Sequence, residues 1–287
     1  MGTILLPTDF STNANNALNY AVEIAELTGT SIQLLHVYTP IVPPNSVIRA
    51  LITDEVLDAK KENLEKLIVQ SNTIKSMYPK LQVSVRSEVG ETVSTILSCA
   101  NEIKPELIIM GTLGVSNITR MIFGSNTSAV VSQSSYPVLC IPSECSFQLP
   151  KRILFATNFS FDDMKGISRL AMLAKLFKSD ILVGHVDTSS SEEPNDSSMK
   201  KFLQEIKLLT DYVNISSCVV SDHNVSMGLE HIISKNDINM LALSTFKRTF
   251  FEKFHKPSLA KKMVLYPMLP IIVFQNPRDE EGTGSDF

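Results

Sequence analysis

The sequence has 287 residues, and its 44% hydrophobic and 20% charged residues are typical of globular proteins with one large domain or two ordinary domains. The net charge of −4 argues against a general nucleic-acid-binding or anionic-membrane surface. No apolar run reaches the length of about 18 residues needed to span a membrane. The opening stretch MGTILLPTDF lacks the basic segment of a secretory signal, and the four cysteines have no metal-binding spacing. We therefore predict a cytoplasmic protein.

Short apolar runs alternate with amphipathic segments along the first half of the chain. In chain order the pattern predicts a strand at 3–8, a helix at 15–29, a strand at 31–37, a helix at 54–78, a strand at 81–90, a helix at 91–103, a strand at 106–112, a helix at 126–134 and a strand at 137–142. Gly29 is the expected C-cap of the first helix. Alternating strands and helices indicate a parallel sheet that is covered by helices on both faces.

The second half of the chain repeats the first. The stretch TILLPTDFS at 3–11 returns as RILFATNFS at 152–160, an offset of 149, and LIIMGT at 107–112 returns as MLALST at 240–245, an offset of 133. Offsets held over long stretches indicate a duplication and two homologous domains. We predict α/β domains at 1–143 and 150–276, each doubly wound around a mainly parallel five-stranded sheet, with a linker at about 143–151 and a disordered tail at 277–287.

Candidate ligand-binding residues follow three strands of the first domain. Ligands of parallel α/β sheets bind beyond the carboxyl ends of the strands. The first strand ends at Thr8 and Asp9, the second at Val37, and the fourth at Met110 and Gly111. We expect these ends to meet in one crevice.

Three glycines near the fourth strand suggest an anion site. Gly111 has no Cβ, which lets the backbone approach a ligand, and Gly114 can turn N–H groups inward at positive φ. Gly124 and Ser125 open a helix whose free N–H groups can bind phosphate, with hydroxyls from Ser125 and Thr127. The spacing alone gives equal support to an alternative without a ligand, in which the glycines make turns and the hydroxyls cap the helix. No GK[ST] occurs, so the stretch is not a P-loop.

The whole arrangement resembles the universal stress protein family in its tandem two-domain form. The family's G-x2-G-x9-G-[ST] nucleotide signature is matched without gaps by Gly111, Gly114, Gly124 and Ser125, and the stretches PTDFS and LLHV are also similar. The resemblance implies an adenine nucleotide hydrolase-like fold. It also implies binding of ATP, or another adenine nucleotide, with Mg²⁺ or Mn²⁺ held through the phosphates.

By matching positions, the resemblance implies that Asp9 contacts the adenosine moiety, that the backbone around Val37 contacts the adenine, and that Gly111 lies near the ribose. It implies that the phosphates are held by Gly114, Gly124, Ser125 and Asn126. It assigns no catalytic residue and no metal-ligating side chain. The candidate site residues are Thr8, Asp9, Val37, Met110, Gly111, Leu113, Gly114, Gly124, Ser125, Asn126 and Thr127.

The second domain departs from the signature. Ser244, Lys247 and Pro257 stand where the first domain has its three glycines, and Asn158 replaces Asp9, although Ser258 is kept. Pro257 fixes φ and removes an N–H group. We expect the second domain to keep the fold without the nucleotide site.

Three further features have plainer explanations. His36 and His185 occupy equivalent strand ends, and packing explains them better than metal binding or catalysis. An arginine in a loop, such as Arg120, is more often a solvated surface charge than a ligand of a γ-phosphate. The basic and aromatic stretch 247–256 is typical of a surface helix rather than an RNA-binding segment.

The resemblance implies an ATP-binding regulatory protein of the stress response, and the residues of the two domains predict nucleotide in the first domain only, with at most slow ATP hydrolysis. The alternative is a nucleotide-independent scaffold of the same fold. A hydrolase is disfavoured because PTDFSTN follows the first strand, where that class carries an SGGxDS loop. The resemblance further implies an intramolecular pseudo-dimer that pairs the fifth strands antiparallel. It leaves open a further homodimer and an unidentified protein partner.

Overall fold

The computed structural model describes residues 2–40, 49–112, 124–189, 196–245 and 269–275. The chain divides into two compact units with a boundary between Gln148 and Leu149, inside the linker predicted from the sequence. The predicted tail at 277–287 and the basic stretch 247–256 lie outside the described residues. The exact domain ends stay predictions.

All nine predicted elements of the first unit are present, with small shifts at their ends. The largest shift is at the second helix, which begins at Arg49 instead of residue 54. The elements are β1 (Thr3–Pro7), α1 (Thr12–Thr28), β2 (Ser31–Tyr38), α2 (Arg49–Met77), β3 (Val83–Val89), α3 (Thr92–Ile103), β4 (Leu107–Gly111), α4 (Ser125–Gln133) and β5 (Val138–Ile141).

The strands of the first unit form a parallel sheet in the order β3-β2-β1-β4-β5. Leu6 of β1 pairs with Leu34 on one side, and Ile4 pairs with Leu107 of β4 on the other. The strand order reverses between β1 and β4. Doubly wound sheets bind ligands at such a reversal, because the crossovers on its two sides leave a crevice there.

The second unit repeats this architecture. Its strands take the order β8-β7-β6-β9-β10, and each pairing among them is parallel. The elements are β6 (Arg152–Ala156), α5 (Phe161–Phe177), β7 (Asp180–Asp187), α6 (Asp196–Leu209), β8 (Ile215–Ser221), α7 (Val225–Lys235), β9 (Met240–Thr245) and β10 (Ile271–Gln275).

The central strands are buried on both faces. Leu5 and Leu6 of β1 have no exposed surface, and neither have Ile153 and Leu154 of β6. This burial explains why these strands read as continuous apolar runs and not as alternating patterns. Cys99 and Cys140 are buried free thiols. Among the described residues, no helix is both long enough and apolar enough to cross a membrane.

Helix α1 is capped at both ends. The Ser11 hydroxyl accepts a hydrogen bond from the N–H of Ala14 at 3.2 Å and caps the amino end. Gly29 ends the helix at φ 69°, which confirms the predicted C-cap. The amino end of α1 is thereby fixed next to the carboxyl end of β1.

Helix α1 also holds the segment that follows β5. The Asn16 amide donates to the carbonyls of Pro142 at 2.7 Å and Cys145 at 2.9 Å. The Tyr20 hydroxyl donates to the Ser146 carbonyl at 2.9 Å and lies 3.1 Å from the Cys145 sulfur. Burial raises the pKa of the Tyr20 hydroxyl, which therefore stays a neutral donor.

We expect Tyr20→Phe to lower the free energy of unfolding by about 1–2 kcal/mol, because it leaves the Ser146 carbonyl without its partner. Tyr78→Phe is the matched control, since its hydroxyl donates to Glu23 at 2.8 Å at a partly exposed position where water can substitute. The control should lose at most about 0.5 kcal/mol. Urea denaturation of both variants measures the difference, and equal losses would contradict this role of Tyr20.

Candidate functional site

A cleft of about 290 Å³ lies at the carboxyl ends of β1, β2 and β4 in the first unit. Helices α1, α3 and α4 begin at its rim. The volume is close to the lower end of the range of about 300–1,000 Å³ for small-molecule sites. The lining residues are Pro7, Thr8, Asp9, Ser11, Asn13, Ala14, Leu35, Val37, Thr92, Ile96, Met110, Gly111, Thr112, Gly124, Ser125, Asn126 and Thr127.

The cleft brings together most of the residues that the sequence predicted. Nine of the eleven candidates line it, namely Thr8, Asp9, Val37, Met110, Gly111, Gly124, Ser125, Asn126 and Thr127. Leu113 and Gly114 lie outside the described residues, as does Arg120. The expected meeting of the strand ends is thus observed, while the ligand of the cleft stays a prediction.

The sequence reasoning missed the residues contributed by the starts of two helices. Asn13 and Ala14 come from the first turn of α1, and Thr92 and Ile96 come from α3. A signal was present, because each of these helices begins directly after a strand that ends at the same edge. The predicted set was confined to the strand ends, the stretch after β4 and the first turn of α4, and it also left out Pro7, Ser11, Leu35 and Thr112.

The turn after β1 shapes the floor of the cleft. Phe10 adopts φ 63°, in the left-handed region that bulky residues rarely occupy. Its N–H donates to the Thr8 hydroxyl oxygen at 3.0 Å, and the Ser11 N–H donates to Asp9 Oδ1 at 3.0 Å. The second bond holds the Asp9 carboxylate at the mouth of the cleft.

His36 supports this turn from the neighbouring strand. Its Nδ1 lies 2.7 Å from the carbonyl oxygen of Thr8, and its ring stacks on Phe10 with 4.7 Å between the ring centroids. These contacts agree with the packing role expected from the sequence.

The structure explains the glycine at position 111 by packing, whereas the sequence predicted that it allows the backbone to approach a ligand. A Cβ at this position would lie 2.6 Å from the carbonyl oxygen of Asn13, closer than real Cβ contacts. The glycine is therefore required by the approach of α1 to the end of β4, whether or not a ligand is present. The Thr127 hydroxyl donates to the Gly111 carbonyl at 2.9 Å and ties α4 to the same point.

The amino end of α4 differs from those of the other capped helices. Gly124 is its N-cap at φ −60° and ψ 156°, with no side-chain capping hydrogen bond. The side chains of Ser11, Glu91, Ser160 and Asn224 cap α1, α3, α5 and α7 respectively. Among the described residues, no side chain caps the first N–H groups of α4 beside the cleft, and free N–H groups at a helix start can bind anions.

The cleft combines two chemical characters. Its described lining has hydroxyl and backbone polar groups with one carboxylate, Asp9, and also apolar side chains such as Leu35, Ile96 and Met110. Among the described residues, no group of three or more His, Cys, Asp or Glu side chains could hold a metal ion. The cleft can accept a ligand with an apolar part and an anionic part.

The second unit repeats the turn that follows the first strand. Phe159 also adopts φ 63°, and its N–H donates to the Thr157 hydroxyl oxygen at 2.9 Å. His185 Nδ1 lies 2.9 Å from the Thr157 carbonyl oxygen, and the His185 and Phe159 ring centroids are 4.3 Å apart. The same hydrogen bonds and ring packing therefore maintain the turn in both units.

Ser244 stands in the second unit where Gly111 stands in the first. Its hydroxyl donates to the carbonyl of Asp162, the equivalent of Asn13, at 2.9 Å. A Cβ on Gly166 would lie 3.0 Å from both the Cβ and the Oγ of Ser244. Gly166 is the equivalent of Ala17, so the second unit has exchanged a glycine and a larger residue across the contact.

We expect Gly111→Ser to destabilise the first unit by about 1–3 kcal/mol, because the new Cβ crowds the Asn13 carbonyl. Adding Ala17→Gly copies the pair found in the second unit and should restore part of that loss. Chemical denaturation of the two single variants and the double variant gives the coupling energy. Additive effects in this cycle would contradict the proposed exchange.

Comparisons with known proteins agree with this architecture. Residues 1–142 match the model of the Universal stress protein family. A universal stress protein encoded in the QAH/OAS sulfhydrylase 3′ region of Thermus aquaticus is 28% identical over 48% of this chain and 97% of its own length. The universal stress protein YxiE of Bacillus subtilis is also 28% identical, over 48% of this chain and 97% of its own length.

A crystal structure of a universal stress protein from Archaeoglobus fulgidus has the same fold over both units. It aligns with a TM-score of 0.74 and 16% identity over 96% of this chain and 98% of its own. A length about twice that of the matched domain fits a tandem member. Through residues 1–142, this chain belongs to the universal stress protein family.

Proposed function

We propose that the first unit binds ATP, or another adenine nucleotide, and that the protein is a nucleotide-responsive regulator of the stress response. The observation that carries this proposal is the amino end of α4, which has no side-chain cap from the described residues and lies at the rim of a cleft between β1 and β4. A phosphate group would satisfy these N–H groups and interact with the positive end of the helix dipole.

The lining residues suggest an orientation for the nucleotide. The apolar part of the lining, formed by Leu35, Ile96 and Met110, suits a base, with the backbone around Val37 at its edge. Asp9 has one oxygen held by the Ser11 N–H, so its other oxygen can accept from a ribose hydroxyl. Mg²⁺ or Mn²⁺ would be held through the phosphates, where it would offset their charge.

We propose one nucleotide site per chain. Ser244 occupies the place of Gly111, while Lys247 and Pro257, which replace the other two glycines, lie outside the described residues. Helix α7 also approaches the strand where the base would lie. A Cβ on Gly228 would be 2.5 Å from Val186, the equivalent of Val37. Such close packing leaves little room for a base.

A nucleotide-independent scaffold is the second candidate, favoured by the structural reason found for Gly111, which needs no ligand. Mass spectrometry of small molecules released from freshly purified, denatured protein separates the two functions. An adenine nucleotide in about stoichiometric amount supports the regulator. The pairing of the two fifth strands and the cytoplasmic location stay predictions from the sequence.

Calorimetric titration with ATP and Mg²⁺ should give a stoichiometry near one, and Gly124→Asp should lower the affinity about tenfold or more. The Gly124 backbone angles are open to any residue, so the new carboxylate can cap α4 without strain while it competes with the phosphates. Gly114→Lys, which copies Lys247 of the second unit, should abolish ATP binding.

Asn224→Asp is the matched control for this titration. It adds the same charge at the N-cap of α7, where the Asn224 side chain already accepts from the Ser226 N–H at 2.9 Å. The Asn224→Asp variant should bind ATP with the same affinity as the unchanged protein. Two equivalent sites, or full affinity in Gly124→Asp, would contradict the proposed site.

We predict that ATP hydrolysis is slow or absent. Phosphoanhydride hydrolysis requires a positioned water and a group that orients it. Asp9 is the carboxylate among the described lining residues, and the Ser11 N–H already holds one of its oxygens. A steady-state phosphate-release assay should give turnover far below the typical enzyme value of ~10 s⁻¹. Turnover near that value would contradict a regulatory role.

A further inference from the structure

The carboxylate of Asp163 occupies the turn after β6 in the second unit. Its Oδ2 accepts hydrogen bonds from the Thr157 hydroxyl at 2.8 Å, the Asn158 N–H at 3.0 Å and the Ser160 N–H at 3.1 Å. The side chain is almost completely buried, with 3% of the residue exposed. Three donors therefore converge on one anionic oxygen, which is a strong arrangement for a charged acceptor.

Helix capping explains only part of this arrangement. Ser160 and Asp163 form a capping box, in which the Ser160 N–H and the Asp163 N–H each find an acceptor. The bonds from the Thr157 hydroxyl and the Asn158 N–H are not part of a capping box. They come from the end of the strand, at the position that faces the cleft in the first unit.

The first unit has the same turn without the carboxylate. The equivalents of Thr157, Asn158 and Asp163 are Thr8, Asp9 and Ala14, and all three line the cleft. Among the described residues, neither the proton of the Thr8 hydroxyl nor the Asp9 N–H has a hydrogen-bond acceptor. Ala14 offers none, since its side chain is a methyl group.

We propose that Asp163 is a built-in carboxylate ligand that closes the strand-end site of the second unit, and that Ala14 is the residue that keeps the equivalent site of the first unit open. The identity of the ligand in the first unit rests on the proposed function, whereas the closure of the second unit does not. Asp163 excludes a ligand in two ways, by occupying the hydrogen-bond donors of the turn and by its charge. It engages the donors, and its negative charge repels a phosphate brought nearby.

The closure also explains how the second unit can lose its ligand without a loss of stability. A buried donor without a partner costs about 1–3 kcal/mol, and the Thr157 hydroxyl is such a buried donor. An acidic residue in the first turn of α5 supplies a permanent acceptor and also interacts favourably with the helix dipole. A unit closed in this way no longer needs a ligand to satisfy its turn.

The first arm of the test places the carboxylate in the open site. Ala14→Asp in the full chain should raise the thermal unfolding midpoint of the first unit and weaken ATP–Mg²⁺ binding about tenfold or more. Asn15→Asp is the control, because it adds the same charge one residue along on the exposed side of α1. The control should bind ATP like the unchanged protein.

The second arm removes the carboxylate and supplies a free one. Asp163→Ala should lower the thermal midpoint, and sodium formate should raise that midpoint by at least about 2 °C more than it raises that of the unchanged protein. Sodium chloride at the same ionic strength separates specific rescue from salt effects. Formate carries the same carboxylate and is small enough for the space left by the side chain.

The two arms separate the closure from the proposed function. An unchanged protein that binds no adenine nucleotide would overturn the proposed function, but the Ala14→Asp midpoint and the formate rescue would still decide the closure. Should Asp163→Ala not fold, the Ala14→Asp variant decides alone. No formate-specific rescue, or an Ala14→Asp variant with neither a raised midpoint nor weakened binding, would overturn the proposal.

Discussion

The turn after the first strand of each unit is the constraint on which the rest of the site depends. Phe10 and Phe159 both adopt φ 63°, at a cost of about 1–3 kcal/mol for a non-glycine residue. Stacking on a histidine of the adjacent strand offsets this cost, since His36 and His185 each contact the turn through the ring and Nδ1. The turn directs the following helix toward the end of the fourth strand of the same unit. The position of the cleft follows from that direction.

The two units show how one backbone can keep its fold while its site changes. The contact between the first helix and the fourth strand needs one very small residue, but it does not specify which side supplies it. In the first unit the small residue is Gly111, next to Asn13, and in the second unit it is Gly166, next to Ser244. Because the summed volume at the contact is similar, the core tolerates the exchange. The loss of the signature glycine therefore need not disturb the sheet.

The first unit leaves hydrogen-bond donors without protein acceptors, among the described residues, where a ligand is proposed to bind. The N-cap of α4 is a glycine without a side-chain bond, and the Thr8 hydroxyl and the Asp9 N–H have no acceptor among the described residues. The second unit satisfies the corresponding turn with Asp163. Natural proteins depart from local rules of stability mainly at functional sites. The contrast between the units thus supports a ligand in the first unit independently of the glycine signature.

The sequence by itself determined the duplication, the types of the elements and the edge of the sheet where the cleft lies. These properties follow from periodicity and from the geometry of parallel sheets, so Asp9, Val37 and Gly111 could be placed together before any coordinates. Only the tertiary structure decided why Gly111 is a glycine and what Asp163 contacts. Both depend on distances of a few ångströms between elements, and hydrophobic patterns do not encode such distances. A residue pattern specifies which face of an element is buried, whereas atomic packing decides which atoms meet there.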